Sequence, residues 1–440
     1  MYNHKEKIRI VWLCHFSNSF VHKNLDWGYS ELTKLVKRII GKPTSPVIPE
    51  FANWINNGIS EMEKLKDVEL HIVSPYPHLQ KETQQLISNG IYYHFFKNED
   101  LELKIFLYKK LFHPSNYRYH LNRSRIHSLI DAIQPDIIHL FGAENPYYAS
   151  AVLDDYGKSI IIAQLQTLMS DPIFRDNYPI DSKSYEYRAH IEKEIIKKAD
   201  YIGVTVSKYR QIISKDINPD AVFLNIGLAL KDPIVDQDCD KLYDFVYVAA
   251  NINKAVDLAI EAFSIVHKDR PQVKLDIIGG YDYEFKQYID ALIRDYNLKD
   301  VITFEGTLPT HDDVLRQIRK SRFALLPLKV DITSGTIREA MSNGLPVITT
   351  DTGEGGTLKL NRVRENVLIS PIGDHQALAN NMVRLLDDKV LADTLRRNAY
   401  QTRAEGRSNE DTILRYVEAY KACIAHSRAG IPLPTSVTVV

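Results

Sequence analysis

Residues 324–351 read ALLPLKVDITSGTIREAMSNGLPVITTD: an apolar run breaks into a small polar loop at 331–336 and resumes at once with helical period through Arg338 and Glu339. A buried strand, a Ser/Gly/Thr turn and a helix start leave backbone N–H groups pointing outward, where they attract an anion, phosphate foremost. Gly335 permits an unusual backbone angle and close approach, and the amides and hydroxyls of Ser334 and Thr336 can hydrogen-bond a phosphate or a sugar hydroxyl. Glu339 falls about one turn into the helix. That position is poor for holding phosphate and good for accepting two hydrogen bonds from a diol such as ribose. Spacing alone leaves Glu339 equally readable as an exposed helix acid.

Other residues of chemical interest sit where strands should end. Lys254 opens the helix after the apolar run YDFVYVAA, where a cation can reach a diphosphate. Gly279 and Gly280 close LDIIGG, at a strand end of the kind that meets ligands in parallel sheets. Ser17, Asn18 and Ser19 follow the first strand and are candidates for acceptor or phosphate contacts, with simple turn chemistry as the alternative. His139 and Glu144 end the run DIIHLFGAENP; Glu144, beyond the strand end, is the better candidate for an acceptor hydroxyl, with a structural loop acid as the alternative.

The elements that must position these residues are legible from period. Short apolar β-branched runs (IRIVWLC, VELHIVSPY, PDIIHLF, SIIIAQLQ, DYIGVTVS, then YDFVYVAA, VKLDIIGG, VITFEG, RFALLPL, LPVITT, NVLIS) alternate with segments of helical period. Continuous apolar strands separated by helices predict parallel sheets covered on both faces, an α/β fold. The acidic stretch 230–244 lacks either periodicity and separates two sets, giving domains at 1–235 and 236–407. SNEDTILRYVEAYKACIA, from Ser408, predicts a closing helix at 408–427 packing back on the first domain, with Ser408 or Asn409 as N-cap. The Pro-containing tail at 428–440 is expected to be loosely held.

Bulk composition agrees with two α/β domains in 440 residues. Lys plus Arg is 55 against 56 for Asp plus Glu, too even for nucleic acid to be the main partner. Three dispersed cysteines and no His at zinc spacing predict neither a disulfide framework nor a structural metal and fit a reducing, cytoplasmic setting. No window approaches 18 continuous apolar residues, so the protein is expected to be soluble or peripheral to a membrane. Residues 101–127 carry three Lys and three Arg against one Glu, a local net of plus five, interleaved with Phe106, Tyr108, Phe112, Tyr117 and Tyr119. Two readings stay open: an exposed basic helix and loop, or a surface for the inner face of a membrane or a phosphate-bearing acceptor.

Asp331, Gly335, Glu339, Ala340, Met341, Gly344, Pro346 and Val347 together resemble the signature of glycosyltransferase family 4, the group 1 glycosyl transferases. NINKAVDLAIEAF, VKLDIIGG, VITFEG and NVLISPIGDHQALANNMVRLLDD extend the resemblance through the second domain. The first domain is similar more weakly, through PDIIHLFGAENPYYAS and KKADYIGVTVSKY. The resemblance implies a GT-B fold, two Rossmann-like parallel-sheet domains facing a central cleft. It implies a nucleotide-sugar donor, UDP- or GDP-linked, in the second domain and a glycan or lipid-linked acceptor at the first. It further implies transfer with retention of anomeric configuration, in bacterial polysaccharide or cell-envelope glycan assembly, with no cofactor and no metal expected to be required. Lys254, Asp331 and Glu339 then form the catalytic set, and Ser334, Gly335, Thr336, Gly279 and Gly280 the donor-binding set. Three departures stand out: Asp331 where the family usually has Glu, no arginine in the AANIN run before Lys254, and Phe141 where many relatives carry a histidine. They keep two rivals open, a catalytically silent glycan-binding or partner subunit, and an epimerase or hydrolase of nucleotide sugars.

Overall fold

The apolar runs form the strands of parallel sheets, the central ones buried on both faces and the edge strand Ile302–Gly306 only partly covered. The computed structural model describes residues 7–46, 48–99, 119–177, 182–204, 206–231, 239–248, 255–280, 283–330, 334–353 and 356–439. The chain divides into two units, one of residues 1–175, 180–230 and 408–440, the other of residues 176–179 and 231–407.

Among the described residues the first unit holds eight strands: β1 (Ile8–Leu13), β2 (Val68–Tyr76), β3 (Thr83–Ser88), β4 (Ile91–Lys97), β5 (Ile137–Phe141), β6 (Ile160–Gln164), β7 (Tyr201–Gly203) and β8 (Phe223–Leu224). Their order is β3-β4-β2-β1-β5-β6-β7-β8. All neighbours run parallel except β3 and β4, an antiparallel hairpin turned through Asn89 and Gly90, both at positive φ. An Asn-Gly pair supplies the two left-handed residues that a two-residue hairpin needs. Order reverses at β1, so the switch point of this sheet lies between β1 and β5.

The helix Asn409–Ala429 belongs to this unit and starts at Ser408, whose side chain accepts from the Asp411 amide. It buries Ile413, Tyr416, Val417, Tyr420 and Cys423 in the core that contains Trp12 and Phe141. The Tyr420 hydroxyl receives the Trp12 indole N–H at 3.0 Å and meets His139 Nδ1 at 2.5 Å, so one buried oxygen ties helix, β1 and β5 together. The chain beyond the helix is held at Val437, which is buried and accepts from the Asn225 amide at 2.8 Å.

The second unit is a six-stranded parallel sheet of β9 (Tyr243–Val248), β10 (Leu275–Ile278), β11 (Ile302–Gly306), β12 (Ser321–Leu325), β13 (Val347–Thr350) and β14 (Val367–Ser370). Its order is β11-β10-β9-β12-β13-β14, with the switch point between β9 and β12. One helical layer, including Val256–Asp269 and His375–Asp387, packs with Phe245, Leu275 and Phe323; the other, including Gly335–Ser342, packs with Val246, Ala324 and Val347. Among the described residues no helix is long and apolar enough to cross a membrane. No group of His, Cys, Asp or Glu among them could hold a metal, and all three cysteines are free.

Candidate functional site

In open parallel sheets, ligands bind beyond the carboxyl ends of the strands at the switch point. In the second unit the loops there follow β9 and β12. The described chain ends at Val248 and resumes at Ala255, so Lys254 lies outside it, as do Asp331 and Thr333. The helix Gly335–Ser342 begins on the far side of the β12 loop. Ser334 is its N-cap, with Oγ accepting from the Ile337 amide at 3.5 Å and 3.0 Å from the Thr336 hydroxyl. Helix geometry leaves the first-turn amides, Gly335 and Thr336 among them, without intrahelical acceptors, which makes this end an anion site in waiting.

Glu339 stands one turn on. Its Oε1 lies 3.6 Å from where a Cβ on residue 335 would sit, so the glycine leaves the approach to the carboxylate open. His311 Nε2, at the start of the helix His311–Ile318, comes within 3.8 Å of the same oxygen. The Glu339 side chain is only 14% exposed, which strengthens whatever hydrogen bonds it makes. Lys329, on the loop after β12, pairs with Asp257 on the helix after β9 at 3.0 Å, binding the two sides of the switch point together. The neighbouring strand end is shaped by Gly279, at φ +144°, and by Gly280, where a Cβ would fall 2.1 Å from the Thr307 hydroxyl. No other residue fits at 280 without moving Thr307. Ser334, Gly335, Thr336 and Glu339 are thus brought together on one helix end.

In the first unit, Ser17, Asn18 and Ser19 occupy the loop after β1 and are already engaged. The Ser17 hydroxyl meets His22, Ser19 donates to Glu50, and Asn18 caps the helix Ser19–Asn24 while donating to Asn56 at 2.8 Å. Their polar atoms build the loop. His139 is wholly buried, stacked on Phe141 at 4.1 Å, and burial lowers its pKa to about 3, so it is a neutral core group without access to an acceptor.

Glu144 has a different setting. Burial raises its pKa; Oε1 accepts from Asn145 Nδ2 at 2.9 Å, while Oε2 is buried with no hydrogen-bond partner. Around it stand groups that no sequence pattern pointed to. His15, after β1, contacts the Tyr147 hydroxyl at 2.5 Å and is held neutral by burial, its pKa lowered to about 4. Glu192, on the helix Ser182–Lys198, has no exposure and accepts from the Met169 amide at 2.9 Å; burial pushes its pKa up to about 8. Arg188 donates to the Glu144 carbonyl at 2.8 Å. Glu144 and Glu192 act electrostatically on one another across a gap of 47 positions, a proximity no local motif encodes. Of the basic segment at 101–127, residues 101–118 lie outside the described chain.

Residues 238–402, within the second unit, match the family model for glycosyl transferases group 1. No curated protein sequence matches the chain. Among solved structures the chain is similar to sucrose-phosphate synthase from Thermosynechococcus elongatus, at 17% identity over 95% of this chain and 100% of that one, with a TM-score of 0.68. It is similar also to α,α-trehalose 6-phosphate synthase from Burkholderia multivorans, at 12% identity over 98% and 100%, TM-score 0.65. A third likeness is to HepE of Anabaena, solved in complex with UDP and glucose, at 12% identity over 94% and 99%, TM-score 0.62. At these identities the likeness establishes the fold: two parallel-sheet α/β domains of the GT-B type.

Proposed function

We propose that the protein is a retaining glycosyltransferase, of the family 4 type its signature resembles, that moves a sugar from a UDP- or GDP-linked donor to a glycan or lipid-linked acceptor. The observation that carries this reading is the Ser334-capped helix end with Glu339 one turn behind it, placed by the β12 loop at the switch point of the unit that matches the glycosyl transferase model. The first-turn amides receive the donor diphosphate, and Glu339 accepts from the ribose diol. Lys254 neutralises the leaving diphosphate and Asp331 engages the donor sugar, roles taken from the family resemblance. Gly279 and Gly280 keep the β10 end clear for the donor.

Chemically, the bond between the anomeric carbon and the phosphate oxygen breaks, the acceptor oxygen bonds to that carbon on the same face, and the acceptor proton passes to the departing phosphate. Helix amides and Lys254 stabilise the charge that grows on the leaving oxygen. No metal or protein nucleophile enters the scheme. On the acceptor side, Glu144 is the candidate hydroxyl contact, because it lies at the β1–β5 switch point with one carboxyl oxygen unpartnered. Placement in bacterial polysaccharide or cell-envelope glycan assembly, on the cytoplasmic side, rests on the resemblance.

The test is a thermal-shift screen with UDP, GDP, ADP and their sugar conjugates against wild type, Glu339→Ala and Lys254→Ala. Stabilisation by one nucleotide, lost in both variants, supports the donor site and names the base. No shift with any nucleotide at millimolar concentration overturns the reading.

A further inference from the structure

The helix Glu31–Ile39 is built inside out. Its sequence, ELTKLVKRI followed by Ile40, places Leu32, Leu35, Val36, Ile39 and Ile40 at the i, i+3, i+4, i+7, i+8 spacing of one apolar stripe. In a soluble domain such a stripe faces the core. Here all five side chains are exposed, from 50% for Val36 to 76% for Ile39, and the helix buries no residue at all. The polar side is the covered one: Thr33, Lys34 and Lys37 are half-buried, with Lys37 Nζ 4.4 Å from the centre of the Tyr29 ring. Exposed large hydrophobics are common singly, but five of the fourteen among the described residues lie along this one helix face, about two and a half turns long.

The element is nevertheless well formed. Ser30 caps its start, accepting from the Thr33 amide. Gly41, at φ +66°, ends it in a Schellman motif in which the Lys42 amide reaches the Lys37 carbonyl at 2.8 Å. The loop before it is tied down where Gly28 donates to the His78 carbonyl at 2.9 Å, beyond the carboxyl end of β2. A helix of nine residues has little stability of its own in water. Caps and anchor hold it so that the apolar stripe points outward.

We propose that this helix docks the protein on an anionic lipid surface, with the stripe entering the interface between headgroups and acyl chains. Charge argues for lipid: the segment from Glu31 to Lys42 carries four cations against one anion, a net charge of plus three, and the anion, Glu31, is already paired with Lys34 at 2.7 Å. Arg38, beside the stripe, and Lys42, just past the helix end, are exposed, so their long side chains reach headgroup phosphates while their stems lie along the apolar surface. The stripe itself is wholly aliphatic, without the Trp, Tyr or Arg anchors that concentrate binding energy in protein interfaces. The inference stands independently of the transferase reading. If both hold, docking presents the carboxyl-end edge of the first unit's sheet to lipid-borne acceptors.

The test is co-sedimentation of the full chain with vesicles of phosphatidylcholine alone and of phosphatidylcholine with phosphatidylglycerol in equal parts. Wild type is expected to partition onto the anionic vesicles in a salt-sensitive way. The double variant Leu32→Glu/Ile39→Glu should lose at least roughly tenfold in partition, and Arg38→Gln and Lys42→Gln roughly fivefold each. All these side chains leave the core untouched, and unchanged thermal melts and nucleotide shifts confirm it, which separates failure here from failure of the donor site. Wild type remaining in the supernatant, or binding undiminished by Leu32→Glu/Ile39→Glu, overturns the proposal. Self-association in sedimentation velocity, abolished by the same variant and without vesicle binding, overturns it in favour of a second copy of the chain.

Discussion

Glu339→Gln replaces one carboxylate oxygen with an amide nitrogen at nearly constant volume. The backbone role of the residue survives, because the Glu339 carbonyl still accepts from the Asn343 amide at 3.0 Å and from Asn343 Nδ2 at 2.8 Å. What changes is the carboxylate face beside Gly335 and 3.8 Å from His311, where two acceptor oxygens become one. A hydrogen bond to a charged group contributes about 1.5–3 kcal/mol, and a side chain only 14% exposed is little screened by solvent. Losing one of two such bonds to a ribose diol therefore weakens nucleotide binding by about 10- to 150-fold. Calorimetric titration with the nucleotide found by thermal shift, and with its 2′-deoxy form, measures this directly. Wild type should lose a comparable factor on removal of the 2′-hydroxyl, and Glu339→Gln should lose almost nothing further, the non-additivity of two changes to one contact. The reasoning is refuted if Glu339→Gln binds as wild type, or if the two losses simply add.

Three further outcomes follow from buried groups. His15 and His94, with pKa lowered to about 4, and His139, lowered to about 3, bind fewer protons folded than unfolded. Their contribution is full above pH 6.5 and fades as pH falls towards those values, so urea denaturation should show stability dropping below about pH 6.5; a flat profile down to about pH 4 would exclude it. Glu192 works in the opposite sense: raised from 4.5 to about 8, its contribution is complete below pH 4.5 and lost as pH climbs through 8. Glu192→Gln, which keeps the acceptor for the Met169 amide, should therefore gain stability relative to wild type at pH 8 compared with pH 5, and an equal difference at both values contradicts the assignment. Tyr420→Phe strands the Trp12 indole N–H and His139 Nδ1 in the core. At about 1–3 kcal/mol for each orphaned group it should cost about 2–6 kcal/mol by chemical denaturation, and a loss under about 0.5 kcal/mol would show that the hydroxyl is not the tie between helix and sheet.

Much of the architecture was legible because it is local. Continuous β-branched runs identified the strands of the parallel sheets, since a strand covered on both faces has no polar side to show. The hairpin of β3 and β4 escaped that reading even though Asn89-Gly90 announced it: β3 alternates partly buried and exposed residues along an edge and lacks a continuous apolar run. The helix start that carries Ser334, Gly335, Thr336 and Glu339 was legible for the same local reason, as the four lie within one and a half turns of a single helix.

The acceptor side was not. Sequence position nominated Ser17, Asn18, Ser19 and His139 beside Glu144, but the first three spend their polar atoms on loop partners and His139 sits between Phe141 and Tyr420, 279 positions apart in the chain. Likewise Glu192 is an ordinary helix acid until folding removes it from water, and Leu32 to Ile40 is an ordinary amphipathic period until packing turns the wrong face inward. By itself the sequence determined the apolar strands of the two parallel sheets, the helix starts at Ser334 and Ser408 and the two-domain count, all set by neighbours a few residues apart. Tertiary structure alone decided which polar groups are dehydrated and which apolar face is left in water, because burial is a property of what the rest of the chain brings alongside.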